Sequence, residues 1–114
     1  MRMIRYLSGL LAICLASPLW AFSCGFETEC IEAEACAKTD FLLEVLIKDQ
    51  IISTEFGDLT IVAVKERDTL ITLFATGDGA EYLMSVTPKA ARLSSQMNAG
   101  PMSVSYLGVC EGAF

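Results

Sequence analysis

The chain contains no histidine. That absence removes the residue most suited to general base catalysis near neutral pH and the commonest metal ligand. It also removes Ser-His-Asp and Cys-His nucleophilic catalysis in their usual forms. No Cys-x-x-Cys pair occurs, so a thioredoxin-like redox motif is missing. A Ser-x-x-Lys pair is missing too, because Ser85 and Lys89 are one residue too far apart. There is no glycine-rich phosphate loop; Gly77 and Gly79 flank Asp78 in a hairpin pattern instead. Basic residues are scarce, with 8 Lys and Arg against 14 Asp and Glu and a net charge of −6. Such a balance opposes binding to nucleic acid, whose phosphates require cationic neutralisation, and to anionic membrane surfaces. It suits a cationic protein as partner, although solubility alone would also account for it. No apolar run reaches the roughly 20 residues of a membrane-spanning helix.

What is present begins with a leader pattern. Arg2 and Arg5 precede a short apolar run from Leu7 to Ala16, followed by Pro18 and a small residue at Ala21. A charged start, a short apolar stretch and a small-residue exit describe a secretory signal peptide spanning 1–21. The mature chain is then 22–114, and the expected location is periplasmic or secreted. Cys14 would leave with the leader, so four cysteines remain: Cys24, Cys30, Cys36 and Cys110. An even number in an exported chain of this size reads as two disulfides, with three possible connectivities. Zinc sites prefer spacers of two to four residues within each pair, whereas the spacers here are five, five and 73 residues.

Beyond residue 40 the pattern is short apolar alternation punctuated by turns. Phe41, Leu43, Val45 and Ile47 recur at spacing two, as expected of a half-buried strand. Leu59–Val64 is rich in β-branched residues, and Lys65-Glu66-Arg67-Asp68 is expected to close it as a turn. Thr69–Ala75 is strand-like again, and Asp78-Gly79 is the strongest short hairpin signal in the chain. Tyr82, Met84 and Val86 alternate with polar residues. Pro88-Lys89 turns the chain, Ala90–Gln96 is a weaker strand, and Asn98-Ala99-Gly100-Pro101 breaks it. Met102, Val104 and Tyr106 open a last strand.

The predicted fold class is therefore mainly β. A single domain, 22–114, holds a small antiparallel meander over 41–114 that closes as a barrel or sandwich of five or six strands. The Cys- and Glu-rich segment 22–40 is expected to be a disulfide-tethered clasp, with a short helix over Glu27–Lys38 because Glu and Ala favour helix and acids crowd its start. Six-residue steps put neighbouring cysteines far apart around a helix. Cys30 or Cys36 is thus expected to bond Cys110, whose parity with Val104 and Tyr106 turns it to the core.

Chemistry-bearing residues are few. Glu27, Glu29, Glu32 and Glu34 lack the Asp, Asn and Gly mix of calcium loops and read as a solvated face. Met84, Met97 and Met102 could suggest copper. Without histidine partners, and with Met84 and Met102 at core parity, packing is the better account. No metal or other cofactor is expected, and no two carboxylates stand out as an acid/base pair, so the chain is not expected to be an enzyme. The hairpin residues Asp78, Gly79, Glu81 and Tyr82 form the candidate binding loop.

Two resemblances add to this reading. The segments FSCGFETECIEAEACAKTDFLLEV and GPMSVSYLGVCEGAF resemble a group of small uncharacterised exported proteins of alphaproteobacteria. The matching features are an aromatic residue two before the first cysteine, Glu-rich spacers between evenly spaced cysteines, Thr-Asp before the first strand and Tyr-Leu-Gly-x-Cys-Glu near the end. What this resemblance implies is a periplasmic location and a paired-cysteine frame. More loosely, Gly77-Asp78-Gly79-Ala80-Glu81-Tyr82 is similar to the Ser-Gly-x-x-Tyr loop of periplasmic inhibitors of C-type lysozyme. The serine is missing here, as is the Trp/Lys motif those proteins carry later. That likeness implies a small barrel inserting a polar loop into a cationic enzyme.

Overall fold

The structure is a computed structural model and describes residues 21–100 and 102–114; the expected signal peptide lies outside them but for Ala21. Eight antiparallel strands follow one another around a closed barrel in simple sequence order. They are β1 (Ala21–Ile31), β2 (Ala37–Leu46), β3 (Ile51–Thr54), β4 (Gly57–Arg67), β5 (Leu70–Gly77), β6 (Ala80–Val86), β7 (Ala91–Met97) and β8 (Ser103–Glu111). The first and last strands pair with each other, which closes the sheet and leaves no outer strand at either side.

Period-two alternation decides what goes inside. Val45, Ile52, Leu73, Met84, Val86 and Leu93 are each fully buried, and their neighbours along each strand turn outward to Glu44, Ser53, Thr72, Ser85 and Arg92. At roughly 25 cal/mol per Å² of apolar surface removed from water, this inner layer supplies the main stabilisation. The two-residue Asp78-Gly79 connection has positive φ at both positions, 52° and 74°. That is the conformation of the tight hairpin turn that Asp-Gly favours.

Three expectations about strands, helix and turns need correcting. The strands number eight, because β1 and the four-residue β3 escaped the sequence pattern. Glu27–Lys38 holds no helix: it is the end of β1, a turn and the start of β2. The Glu and Ala preference for helix is overridden by ladder bonds to two neighbouring strands. Finally, Lys65–Arg67 continue β4, and the chain turns only at Asp68-Thr69.

The disulfides are Cys24–Cys110 and Cys30–Cys36, so the expected bond from Cys30 or Cys36 to Cys110 does not form. A β-bulge explains why. On the β1–β8 ladder Phe26 and Thr28 stand opposite the consecutive Gly108 and Leu107, so Glu27 is an extra residue and the alternation of β1 inverts. Phe22, Cys24 and Phe26 face the core, whereas beyond the bulge Glu29 and Ile31 stand opposite the inward Tyr106 and Val104. Cys30 therefore points outward opposite Ser105, away from Cys110. Cys24 stands directly across the closing seam from Cys110, and Cys30 meets Cys36 across the β1–β2 hairpin.

Near the same bulge β8 runs unusually close to β1. A Cβ on Gly108 would collide with the Gly25 carbonyl oxygen and lie 2.6 Å from the Phe26 Cα. Only glycine allows the seam to close there.

Candidate functional site

Turns 32–36, 55–56 and 78–79, and residues 98–100 and 102 between β7 and β8, all lie at one end of the barrel. β3 is short on this side. It pairs with β2 only from Leu43 to Leu46, so β2 runs on to Ala37 without a β3 partner. A notch is left beside Phe41, and a pocket of about 290 Å³ opens through it into the barrel end.

The pocket wall is aromatic. Phe41 and Tyr106 have ring centroids 5.0 Å apart, both rings lean on the buried Phe26 at 6.2 Å, and Tyr82 lines the wall across from them. Phe56, in the β3–β4 turn, stands at the rim 71% exposed, with its ring 6.2 Å from that of Phe41. Its backbone is fixed by Thr54, whose Oγ1 donates to the Gly57 carbonyl at 2.8 Å and accepts from the Phe56 N–H at 3.1 Å. Asp58 and Asp78 carry exposed carboxylates on the rim. Ser95 lies deep in the lining, only 3% exposed. Among the described residues no Lys or Arg lines the pocket.

Both tyrosines are held neutral. Burial pushes the Tyr106 hydroxyl up to about 12, and Glu29, which accepts its hydrogen bond and adds negative charge, pushes the same way. Tyr82 is also raised, first by burial and then by the charges of Asp78 and Glu81.

The candidate binding loop divides into two roles. Asp78 and Tyr82 line the pocket. Gly79 and Glu81 hold the hairpin to its neighbours. The Gly79 carbonyl accepts the Asn98 N–H at 3.0 Å, and Glu81 Oε2 accepts from Thr76 Oγ1 at 3.1 Å and Asn98 Nδ2 at 3.3 Å. Sequence reasoning missed Phe41, Phe56, Asp58, Ser95 and Tyr106, which come from five different elements and share no local motif. Of the methionines, Met84 is core at 1% exposed and Met97 reaches the pocket lining. Met102, expected in the core, lies just before β8 and is 44% exposed. Among the described residues no group of three or more Asp, Glu or Cys is placed to hold a metal ion.

Charge is distributed unevenly between the two ends. The half of the barrel bearing the pocket carries Glu27, Glu29, Glu32, Glu34, Asp40, Glu55, Asp58, Asp78 and Glu81 against Lys38 alone. The opposite half carries Glu44, Asp49, Glu66, Asp68 and Glu111 against Lys48, Lys65, Arg67, Lys89 and Arg92, which balance. The whole acidic excess of the described residues therefore sits in the half that bears the pocket. Glu32 also locks the rim: its carboxylate accepts the Ser103 N–H at 2.7 Å, and its own N–H donates to the Ser103 carbonyl at 3.2 Å.

Two disulfides imply an oxidising, non-cytoplasmic environment, and among the described residues no helix is long and apolar enough to cross a membrane. Comparisons with family models, with curated proteins and with solved structures return no match.

Proposed function

We propose that this protein is an exported, non-enzymatic binding barrel whose pocket-bearing end engages a cationic protein. The observation that carries this reading is the segregation of charge: nine carboxylates and one lysine lie in the half of the barrel that bears the pocket, while the far half is neutral. A field of that shape orients and accelerates encounter with a positively charged surface. Apolar side chains fill the barrel interior, whereas the interior of a lipid-facing barrel is polar.

A cationic enzyme inhibited by insertion of the Asp78-Gly79 hairpin is the most specific form of this reading. It is favoured by the position of that hairpin at the acidic end. The test is inhibition of C-type lysozyme by the purified oxidised chain. Inhibition at micromolar concentration that weakens with salt supports the inhibitor reading, and none at micromolar concentration removes it. Electrostatic capture by immobilised lysozyme without inhibition leaves the broader binding role standing.

The pocket also gathers two carboxylates, Asp58 and Asp78, which a carboxylate-dependent hydrolase would need. Both are exposed, whereas a carboxylic acid that donates its proton at neutral pH is kept protonated by apolar surroundings. Binding is the better use of this pair.

A further inference from the structure

We infer that the barrel-end pocket is a receptor for one guanidinium or primary ammonium group carried on an apolar stem, the chemistry of an arginine or lysine side chain. This rests on the reading that the acidic end meets a cationic partner, and adds where and how one cation of that partner is held.

Two independent features converge on the pocket. The first is its wall, in which Phe41, Tyr82 and Tyr106 present ring surface inside a concave space and Phe56 stands at its entrance. Ring faces attract cations through their quadrupole, more strongly as water is excluded, and accept an aliphatic stem equally well. The second is Ser95. The residue is 3% exposed, yet the one hydrogen bond of its hydroxyl among the described residues is to the Val104 carbonyl at 3.5 Å. That is well beyond the 2.5–3.0 Å usual for hydroxyl donors. A buried hydroxyl so poorly satisfied is costly unless something else reaches it, and its oxygen is free to accept an N–H. Asp58 and Asp78 then supply opposite charge at the entrance. Among the described residues neither carboxylate takes part in a side-chain hydrogen bond, so both remain available.

The pocket distinguishes cations by their donors. A quaternary ammonium would satisfy the rings but give Ser95 and the two carboxylates no hydrogen bond. A guanidinium or primary ammonium carries the N–H donors that such a hydroxyl and carboxylates accept. A neutral aliphatic chain would gain only the wall.

The experiment is titration of the oxidised chain, at low ionic strength, with Nα-acetyl-arginine amide and Nα-acetyl-lysine amide. Nα-acetyl-norleucine amide and tetramethylammonium serve as controls, and amide chemical shifts are followed by NMR. The expected result is saturable shifts confined to the mouth strands for the first two probes and weaker effects from the controls. Asp58→Asn and Asp78→Asn should each weaken binding about fivefold, and Tyr82→Leu about threefold. Equal binding of the norleucine amide overturns the inference. So do non-saturating shifts spread over the acidic half and unaffected by Asp58→Asn, because they reduce the pocket to diffuse surface charge. Separation from the broader reading comes from the partner assay. If lysozyme binds the wild type and the Tyr82→Leu and Asp58→Asn variants equally, the pocket inference fails and the cationic-partner reading survives. If lysozyme does not bind but the arginine probe saturates, the reverse holds.

Discussion

Replacing each disulfide by an alanine pair should destabilise the barrel very unequally. Cys24–Cys110 spans 86 residues of sequence and Cys30–Cys36 spans 6. In the chain-entropy account a crosslink removes freedom from the unfolded chain in proportion to the logarithm of the loop it closes. For these loops that gives about 4.5 and about 2 kcal/mol. Alanine is the right replacement, because serine would strand a hydroxyl at Cys24, which is 3% exposed. For a domain of this size the difference of about 2.5 kcal/mol corresponds to a gap of about 10–20 °C between the two variants' melting temperatures. Calorimetry or circular dichroism melting of wild type, Cys24→Ala/Cys110→Ala and Cys30→Ala/Cys36→Ala measures it directly. Equal losses, or a larger loss for the short loop, would refute the reasoning. The long crosslink would then be acting locally on the seam rather than by restraining the unfolded chain.

Four further outcomes are expected. Gly108→Ala should cost about 3 kcal/mol, because its Cβ meets only backbone. Gly25→Ala, whose Cβ meets the mobile tip of Leu42 at 3.3 Å, should cost much less; chemical denaturation of both variants checks the contrast. Stability should fall as pH rises from about 10, where the unfolded tyrosine ionises, to about 12, where Tyr106 ionises in the fold. The contribution is fully present below the lower value because both states are then protonated. Urea unfolding from pH 9 to 11 should show a shallower decline in Tyr106→Phe. Raising salt from 10 mM to 0.5 M should increase the melting temperature by relieving repulsion at the acidic end, and a flat or falling profile would contradict the charge map. Mild reductant should open Cys30–Cys36 before Cys24–Cys110, since Cys36 is exposed and Cys24 is buried; mass spectrometry after alkylation reads the order.

Apart from β3, the strands between Phe41 and Tyr106 were legible because each carries its own period-two pattern and is bounded by its own turn residues. Asp78-Gly79 announces its turn by local chemistry alone, and the observed φ values agree. What the sequence hid was set by pairing. In β1, Phe22, Cys24 and Phe26 alternate with Ala21, Ser23 and Gly25, a strand signal that the leader boundary cut short and the Glu-rich stretch beyond it obscured. β3 offers only Ile51–Thr54, too few residues for any period to show. The pocket was less legible still. Phe41 and Tyr106 are 65 positions apart in sequence and become neighbours only because β1 pairs with both β2 and β8. An aromatic residue at an inward position reads as core until the shortness of β3 shows that the barrel end is open beside it.

One inserted residue ties these features together. If β1 ran through Glu27 as a regular strand with no bulge, its alternation would continue unbroken, and Cys30 would face the interior with Cys24. It would then compete for Cys110, and Glu29 would point to solvent. With the bulge, Cys30 turns outward and is left to Cys36, which staples the hairpin above the pocket. Glu29 turns inward to Tyr106 and adds its charge to the mouth. The bulge also lies where β1 crosses close to β8, so the glycine at 108 and the insertion at 27 are two halves of one corner in the barrel wall. Deleting Glu27 should therefore remove a surface carboxylate and leave Cys30 facing outward to Cys36, because Phe26 and Thr28 already stand opposite the consecutive Gly108 and Leu107.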